Sequence, residues 1–249
     1  MNKNVSIEWV TQSGLCTGCG LCQAMFPGKV TTKLDDEGYL RPYVKQAIID
    51  NELKQFNKVC PGIVLRHEAG GSAEYDSLWG SLIGVRTGHA IDQQIRHAGS
   101  SGGVLSALLI YLLESRQVDF VAHIKASFDD PLGNELAISR AREDVLAGAG
   151  SRYAPSAPLA TLGELLAQPG RFAFVGKPCD IAALRSYERF NLQVTEKIPF
   201  MLSFMCAGIP SRKGTIEILS KFRVEPKQVK SFTYRGNGWP GKTTAITHD

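Results

Sequence analysis

Four cysteines near the beginning of the chain constrain its fold more than any other feature. Cys16, Cys19 and Cys22 lie in the run CTGCGLC, and Cys60 follows in VCPG. Three cysteines at two-residue spacing, followed by a distant Cys-Pro, are the arrangement that holds a cubane 4Fe-4S cluster. The interleaved glycines let the backbone turn sharply and direct amide groups toward sulfur. We therefore expect these four thiolates to ligate a 4Fe-4S cluster.

Two other uses of the cysteines remain open. A zinc site more often presents two C-x-x-C pairs than a triple and a single cysteine. A disulfide framework needs an oxidising compartment, and the first twelve residues, MNKNVSIEWVTQ, lack the apolar core of an export signal. The pattern favours the cluster over zinc, and zinc over disulfides.

Composition places the chain among soluble globular proteins. It has 249 residues, of which 43% are hydrophobic and 21% charged, enough for one large domain or two modest ones. The formal charge of +4 comes without a basic run, so nucleic acid is not implied, whereas an anionic cofactor or an acidic redox partner fits. The longest nearly uninterrupted apolar run, VLSALLIYLL, is far too short to span a bilayer. We expect a cytoplasmic protein without a membrane span.

Changes of pattern along the chain divide it into three parts. Residues 1–68 carry the cysteines and are predicted to form a ferredoxin-like iron–sulfur segment with a helical stretch around 44–56. The small, flexible run AGGSA at 69–73 marks a boundary, and we expect a linker over 69–83. Residues 84–249 are predicted to form an α/β flavin-binding domain.

The third part alternates between strand and helix patterns. Strands are predicted at GVRTGHA, VDFVAHIKA, RFAFVG and PFMLSFMC, and helices over 104–116, 141–146, 159–166, 180–190 and 213–222. This order predicts an α/β fold with a mainly parallel sheet flanked by helices. SFTYR and KTTAIT, joined through GNGWPG, are predicted to pair as a hairpin. The chain stops at Asp249 on that second strand, so we expect it to be part of a longer protein.

A run of small residues precedes the apolar helix and suggests an anion site. Ser100, Ser101, Gly102 and Gly103 lie where a phosphate could approach the backbone and the helix N-terminus. The two hydroxyls would donate hydrogen bonds, and Arg96 would supply a counter-charge. A plain turn that caps a buried helix explains the same residues equally well, and neither G-x-x-x-x-G-K-[ST] nor a full G-x-G-x-x-G is present.

Two further cysteines end predicted strands. Cys179 lies in the run GKPCD, and Cys206 lies in MCAG after the next strand. In an open parallel sheet both would face the crevice in which ligands bind. Lys177 could lower the pKa of Cys179 or pair with an anion, and Asp180 is predicted to cap the following helix. Simple packing is the alternative, favoured slightly for Cys206, while function is favoured slightly for Cys179.

A polar loop and the histidines complete the candidates. In SRYAPS, Tyr153 could stack on a cofactor ring and Arg152 could meet a phosphate, although composition alone favours a surface loop. The histidines show no ligand spacing, and none is assigned to a metal. They are His67, His89, His97, His123 and His248.

Taken together, these segments resemble the family of beta subunits of coenzyme F420 hydrogenase and dehydrogenase. The resemblance depends on six runs in the family's order, which cover nearly the whole chain. They are CTGCGLC with VCPG, RHAGSSGGVLSALLIYLLE, SRYAPS, VGKPCDIAALR, FMCAGIPSRKGT and YRGNGWPG.

The resemblance implies an iron–sulfur flavoprotein that contains FAD and a 4Fe-4S cluster. It implies that the four N-terminal cysteines ligate the cluster, that GSSGG and GKPCD line the flavin site, and that SRYAPS lies close by. Such a protein would pass electrons between a two-electron carrier, reduced coenzyme F420 or similar, and one-electron centres on a redox partner or subunit. Two alternatives are a non-catalytic electron-transfer subunit of a hydrogenase or formate dehydrogenase complex, and an accessory protein of a biosynthetic gene cluster that has lost flavin binding.

Overall fold

The computed structural model describes residues 4–66 and 74–248. The predicted boundary run at 69–73 lies outside these residues. Within the described ranges, no helix has the length and apolar character needed to cross a membrane.

The helices are short, and the longest has eleven residues. They are α1 Ile7–Gln12, α2 Leu21–Met25, α3 Asp50–Val59, α4 Gln93–Ala98, α5 Val104–Glu114, α6 Arg142–Ala147, α7 Leu162–Ala167, α8 Pro178–Tyr187, α9 Leu192–Lys197 and α10 Arg212–Lys221. The strands are β1 Val30–Leu34, β2 Leu40–Val44, β3 Glu74–Asp76, β4 Gly80–Leu82, β5 Phe120–Ala126, β6 Asn134–Ser139, β7 Phe172–Gly176, β8 Phe200–Ser203, β9 Val229–Thr233 and β10 Thr244–Thr247.

The central sheet has the strand order β6-β5-β7-β8. β5 pairs in parallel with β7, β7 pairs in parallel with β8, and β6 is antiparallel to β5 at one edge. β7 and the first four residues of β5 are buried, as expected for strands covered on both faces. The structure is therefore a mixed α/β fold in which two of the three pairings of this sheet are parallel.

Alternate side chains of β5 and β7 point into two different apolar clusters, because successive residues of a strand face opposite sides of the sheet. Phe120 and Phe172 stack with ring centroids 4.7 Å apart on the side covered by α7, α8 and α9. Val121 and Ala173 face the side covered by α4, α5 and α6. The sheet thus forms the middle of three layers.

The cysteine-bearing segment packs on the α7–α8–α9 face. It has a small core of its own, which includes Ile7, Phe26 and Phe56, and its strands β1 and β2 form an antiparallel hairpin. Leu21 of α2 and Val59 of α3 are buried in the same cluster as Phe120 and Phe172. These two residues join the segment to the central sheet.

Several predicted elements differ from the observed ones. Residues 84–90, predicted as a strand, form neither helix nor strand, and Val85 is exposed. The predicted linker contains the β3–β4 hairpin, and the predicted strand at 199–206 ends at Ser203. α3 begins at Asp50, because the Glu52 carboxylate accepts the Ile49 amide hydrogen and ends the extended stretch before it.

α8 also begins earlier than predicted, at Pro178, which suits the first turn because proline lacks an amide hydrogen. Asp180 therefore lies inside that first turn, and its carboxylate accepts the Lys177 amide hydrogen at 2.9 Å. The predicted C-terminal hairpin is confirmed as β9 and β10. It packs with Leu219 of α10 in a separate apolar cluster.

Candidate cluster and cofactor site

The four N-terminal cysteines converge on one cavity. Cys16 and Cys19 lie between α1 and α2, Cys22 lies in α2, and Cys60 is the residue that ends α3. The backbone of Gly20 has a φ of +85°, a left-handed conformation that glycine adopts without strain. The remaining walls of the cavity are largely apolar. The loop and two helices thus place four thiols around one cavity.

Burial and the charges of neighbouring groups raise the pKa values of Cys19, Cys22 and Cys60. Burial raises the pKa of Cys19 well above its ordinary value, and the charges of Asp180 and Cys22 add to the effect. Burial, followed by the charges of Cys16 and Cys60, raises the pKa of Cys22 to about 12. Burial is also the main cause that raises the pKa of Cys60 to about 11. A bound cation would favour the thiolates and displace these protons.

Within residues 4–66 and 74–248, no three His, Cys, Asp or Glu side chains are placed so that they could hold one ion. The four thiols nevertheless line one cavity, and cysteine sulfur is a ligand for zinc and for iron–sulfur clusters alike.

The cysteine loop, residues 13–20 between α1 and α2, lies directly against the α/β part of the chain. The Leu159 amide donates to the Cys19 carbonyl oxygen at 3.0 Å, and the Gln23 side-chain amide donates to the Ala160 carbonyl oxygen at 3.4 Å. A Cβ atom on Gly20 would lie 2.8 Å from the Ala160 nitrogen. Glycine at position 20 therefore permits both the left-handed backbone and the close approach.

A buried ion pair lies beside this contact, at the beginning of α8. The Lys177 Nζ and Asp180 Oδ2 atoms are 2.8 Å apart, and the two side chains are 5% and 1% exposed. Lys177 also donates to the Ser156 carbonyl oxygen at 3.4 Å. The Asp180 Oδ1 atom is buried without a hydrogen-bond partner among the described residues. Burial raises the pKa of Asp180, opposed by the Lys177 charge, and the negative charge of Asp180 acts on Cys19.

The two remaining cysteines occupy different environments. Burial, followed by the charge of Asp180, raises the pKa of Cys179, and the charge of Lys177 acts in the opposite direction without reversing the rise. Thr17 of the cysteine loop forms a hydrogen bond with Cys179, which places Cys179 at the contact between the two parts of the chain. Cys206 is exposed on the loop after β8, so the packing interpretation of this residue is wrong.

The GSSGG run forms the turn between α4 and α5. Gly102 and Gly103 have φ values of +70° and +71°, and a Cβ on Gly103 would lie 2.7 Å from the Ile95 carbonyl oxygen. α5 begins after Gly103 without a side-chain cap from the described residues. Ser101 is exposed beside this helix end, and Arg96 is exposed on α4. The turn thus has a packing role and also leaves the amide groups of the first turn of α5 without a capping side chain.

The SRYAPS loop connects this turn to the ion pair. Ser100 Oγ donates to the Arg235 carbonyl oxygen at 3.0 Å and accepts the Ser151 amide hydrogen at 2.6 Å. At its other end, Ser156 contacts Lys177. Tyr153 is 38% exposed between these two ends. Neither Ser156 nor Arg235 was identified as a site residue from the sequence, although Arg235 lies in the motif YRGNGWPG.

Arg152 does not face a ligand. Its guanidinium donates to the Asn134 side-chain oxygen at 2.9 Å, to the Gly133 carbonyl oxygen at 2.9 Å, and to the carbonyl oxygens of Pro131 and Phe232. The interpretation that Arg152 meets a phosphate is therefore wrong, because its hydrogen-bonding capacity is used to hold β6 and β9 together.

Both helix N-termini lie at the same edge of the sheet. α8 begins directly after β7, at the carboxyl end of that strand. α5 leads into β5 through residues 115–119, so its N-terminus returns to the carboxyl end of β5. In open α/β sheets this edge is where ligands bind. The turn at 99–103, the loop at 151–156 and the beginning of α8 line this edge, and the cysteine loop lies next to α8.

Comparison with known proteins gives matches over most of the chain. Residues 85–163 match the family model for the N-terminal part of the coenzyme F420 hydrogenase/dehydrogenase beta subunit, and residues 170–249 match the model for its C-terminal part. A subunit of the F(420)H(2) dehydrogenase of Methanosarcina mazei is 27% identical over 208 residues, 80% of this chain and 55% of that protein. The coenzyme F420-dependent sulfite reductase of Methanocaldococcus jannaschii is 26% identical over 250 residues, 90% of this chain and 36% of that protein.

Two further matches extend these findings. The F420-dependent formate dehydrogenase 1 subunit beta of Methanococcus maripaludis is 32% identical over 144 residues, 56% of this chain and 36% of that protein. A chain of the F420-reducing [NiFe] hydrogenase complex from Methanosarcina barkeri shares the fold, with a TM-score of 0.53 and 21% identity over 64% of this chain and 58% of that one. The present chain spans between about a third and just over half the length of these three curated relatives.

Proposed function

Because the chain belongs to the family of coenzyme F420 hydrogenase/dehydrogenase beta subunits, we propose that it is an iron–sulfur flavoprotein. It would pass electrons between a two-electron carrier and one-electron centres on a redox partner. The observation that carries this proposal is the convergence of four cysteines on one cavity that adjoins the carboxyl edge of the sheet.

Cys16, Cys19, Cys22 and Cys60 would hold a 4Fe-4S cluster. The four thiols line one largely apolar cavity, and three cysteines at two-residue spacing with a distant Cys-Pro follow the pattern of a cubane more closely than that of a zinc site. When bound, the cluster supplies a store for one electron at a time. The chain's own contribution would be to surround the thiolates with largely apolar side chains and to place the charge of Asp180 near Cys19.

FAD would bind at the carboxyl edge of the sheet. The uncapped beginning of α5, together with Ser101, Gly102 and Gly103, suits the pyrophosphate, and Arg96 lies on the preceding helix. Tyr153, which is exposed in the loop at 151–156, would contact the ring system. When bound, FAD would supply the chemistry that couples a two-electron carrier to one-electron centres.

The other residues expected at the flavin would shape and position the site. They are Ser100, Lys177, Cys179 and Asp180. Ser100 fixes the turn at 99–103 to the loop at 151–156, and so it shapes the site. The pair formed by Lys177 and Asp180, with Cys179 beside it, would form the wall between the flavin and the cluster. Because the pair is buried and internally neutralised, we propose that these residues position the two cofactors.

Coenzyme F420 or a similar carrier is the two-electron partner that we propose, because the relatives of this chain are named for that coenzyme. The one-electron partner would be another protein or subunit, since several relatives are themselves named as subunits.

Anaerobic purification with quantification of iron, sulfide and released flavin tests the proposal. We expect about four irons per chain, together with flavin. The Cys19→Ala variant should lose the iron and retain flavin reduction by reduced F420. Loss of flavin reduction while FAD stays bound would show that the assumed order of electron flow is wrong. Zinc in place of iron would contradict the cluster assignment, and iron without flavin would favour the accessory role.

A second candidate function is that of a non-catalytic electron-transfer subunit, with the substrate chemistry on a partner chain. The subunit names of the relatives favour it. Turnover of a two-electron donor with a redox dye separates the two functions. The purified chain alone should reduce the dye if it is the enzyme, and should fail to do so if it serves as a relay.

A further inference from the structure

A groove of about 590 Å³ lies where the cysteine-bearing segment meets α8 and the residues that follow it. It runs between the last turn of α3, residues 64–66, and the second half of α8. Its lining includes the exposed side chains of Lys58, Leu65, Arg66, Arg185, Arg189 and Phe190. None of the cluster or flavin residues proposed above is among its lining residues.

The lining of the groove is strongly basic. Lys58, Arg66, Arg185 and Arg189 contribute four positive charges, and Glu188 contributes one negative charge, at 3.4 Å from Arg185. Basic residues thus outnumber acidic ones by four to one in the lining. A concave surface lined by one sign of charge concentrates the electric field and attracts groups of the opposite sign.

Exposed apolar side chains accompany these charges. Leu65 is 71% exposed and Phe190 is 42% exposed, and Lys58 lies over the Phe190 ring at 5.8 Å from its centroid. Arginine and aromatic side chains are enriched where proteins bind one another, and they contribute much of the binding energy there. The groove therefore suits a protein segment that combines carboxylates with apolar side chains.

The position of the groove relates it to the cysteine cavity. Cys60 lines that cavity, and Lys58 precedes it by two residues on the same helix. The Val64 amide donates to the Cys60 carbonyl oxygen at 3.0 Å, which holds the groove wall against the cysteine. A protein bound in the groove would thus lie next to a ligand of the proposed cluster.

We propose that this groove is the docking surface for an acidic segment of the one-electron redox partner. The basic lining favours an acidic occupant, and the exposed apolar side chains of Leu65 and Phe190 favour a protein over a small anion. The role in electron transfer depends on the proposed function, whereas the binding of an acidic protein does not. Binding and cofactor content are therefore measured separately.

An acidic plant-type [2Fe–2S] ferredoxin serves as the probe. Its dissociation constant is measured for the purified chain, for a double variant with Arg66→Glu and Arg185→Glu, and for a control with Lys227→Glu and Lys230→Glu. Both variants change the net charge by the same amount, and the control positions lie outside the groove. At an ionic strength of about 0.05 M, we expect the groove variant to bind at least about tenfold more weakly and the control within about twofold. At about 0.5 M salt the difference should largely disappear.

Carbodiimide crosslinking gives an independent measurement, because it joins probe carboxylates to nearby lysines. Lys58 is the lysine of the groove lining, so crosslinks should concentrate there. Equal weakening by both double variants, or crosslinks confined to other lysines, would overturn the docking surface. The absence of salt-sensitive binding would overturn it too. A chain that binds the probe and lacks iron would instead refute the proposed function and leave the docking surface intact.

Discussion

Replacing Gly20 by alanine tests how the cysteine loop is held against the rest of the protein. The left-handed backbone at this position costs a non-glycine residue about 1–2 kcal/mol. The added Cβ would also lie 2.8 Å from the Ala160 nitrogen and 3.0 Å from the Ala157 side chain. Such overpacking costs about 1–3 kcal/mol more. We therefore expect Gly20→Ala to lower the free energy of unfolding by about 2–5 kcal/mol.

Gly14 and Gly28 provide matched controls in the same segment. Their φ values are +71° and +79°, and no atom of the described residues lies within 4 Å of a Cβ built on either one. Alanine at these positions should therefore cost only the backbone contribution of about 1–2 kcal/mol. The difference between Gly20→Ala and the controls isolates the contact between the loop and residues 157–160.

Urea unfolding under anaerobic conditions, followed by circular dichroism, measures this difference. Thermal midpoints should agree, at about 2–4 °C for each kcal/mol in a chain of this size. Equal destabilisation by all three substitutions would refute the reasoning, because the loop would then not be packed against Ala157 and Ala160.

Three further predictions concern residues outside the cysteine loop. Asp130→Asn should lower the free energy of unfolding by about 1 kcal/mol at neutral pH, because it removes the ion pair with Arg212. Arg212 holds the pKa of Asp130 below its ordinary value, so the stabilisation by this pair is complete above about pH 4 and is lost as the pH falls through the lower folded-state pKa. Urea titrations at several pH values measure this dependence. Burial lowers the pKa of His123, so the wild-type chain should lose stability as the pH falls below about 6.5, and His123→Gln should flatten that slope in the same titrations. Arg152→Lys should lower the thermal midpoint and reduce the free energy of unfolding by about 2–4 kcal/mol, because one ammonium cannot replace a guanidinium bonded to four acceptors. The flavin affinity of the folded variant, measured by fluorescence titration, should remain within about twofold of the wild-type value. A much larger loss of affinity would restore Arg152 to the binding site.

The interior of the fold was predictable where sequence pattern and burial agree. β7 and most of β5 are apolar runs buried on both faces, and α5 is an apolar helix, so each was identified close to its observed bounds. β6 was missed because an edge strand exposes part of its length, and its sequence NELAIS begins with polar residues. β1 and β2 were missed for a similar reason, since most of their side chains are only half-buried. Their pairing depends on contacts that local sequence does not encode.

The candidate site was likewise predictable in part, where local sequence pattern determines the arrangement. Cysteine spacing predicted the convergence of the four thiols, because two of them lie on one loop and a third follows in the first turn of α2. The uses of Ser100 and Arg152 were not predictable, since their partners are far away in sequence, at 135 positions for Ser100 with Arg235 and 80 for Arg152 with Phe232. A polar side chain near a glycine-rich turn looks the same in sequence whether it faces a ligand or another loop.

The apolar cluster that Leu21 and Val59 share with Phe120 has a consequence for the amount of protein in a cell. If the cysteine cavity holds the proposed cluster, a chain without iron would lose support on both sides of that cavity, and Leu21 and Val59 would transmit the loosening to the central sheet. Proteases act on chains that open, and a loss of about 1–2 kcal/mol can change abundance several-fold. Under our proposal, iron supply would govern how much of this protein accumulates, in addition to how much of it is active.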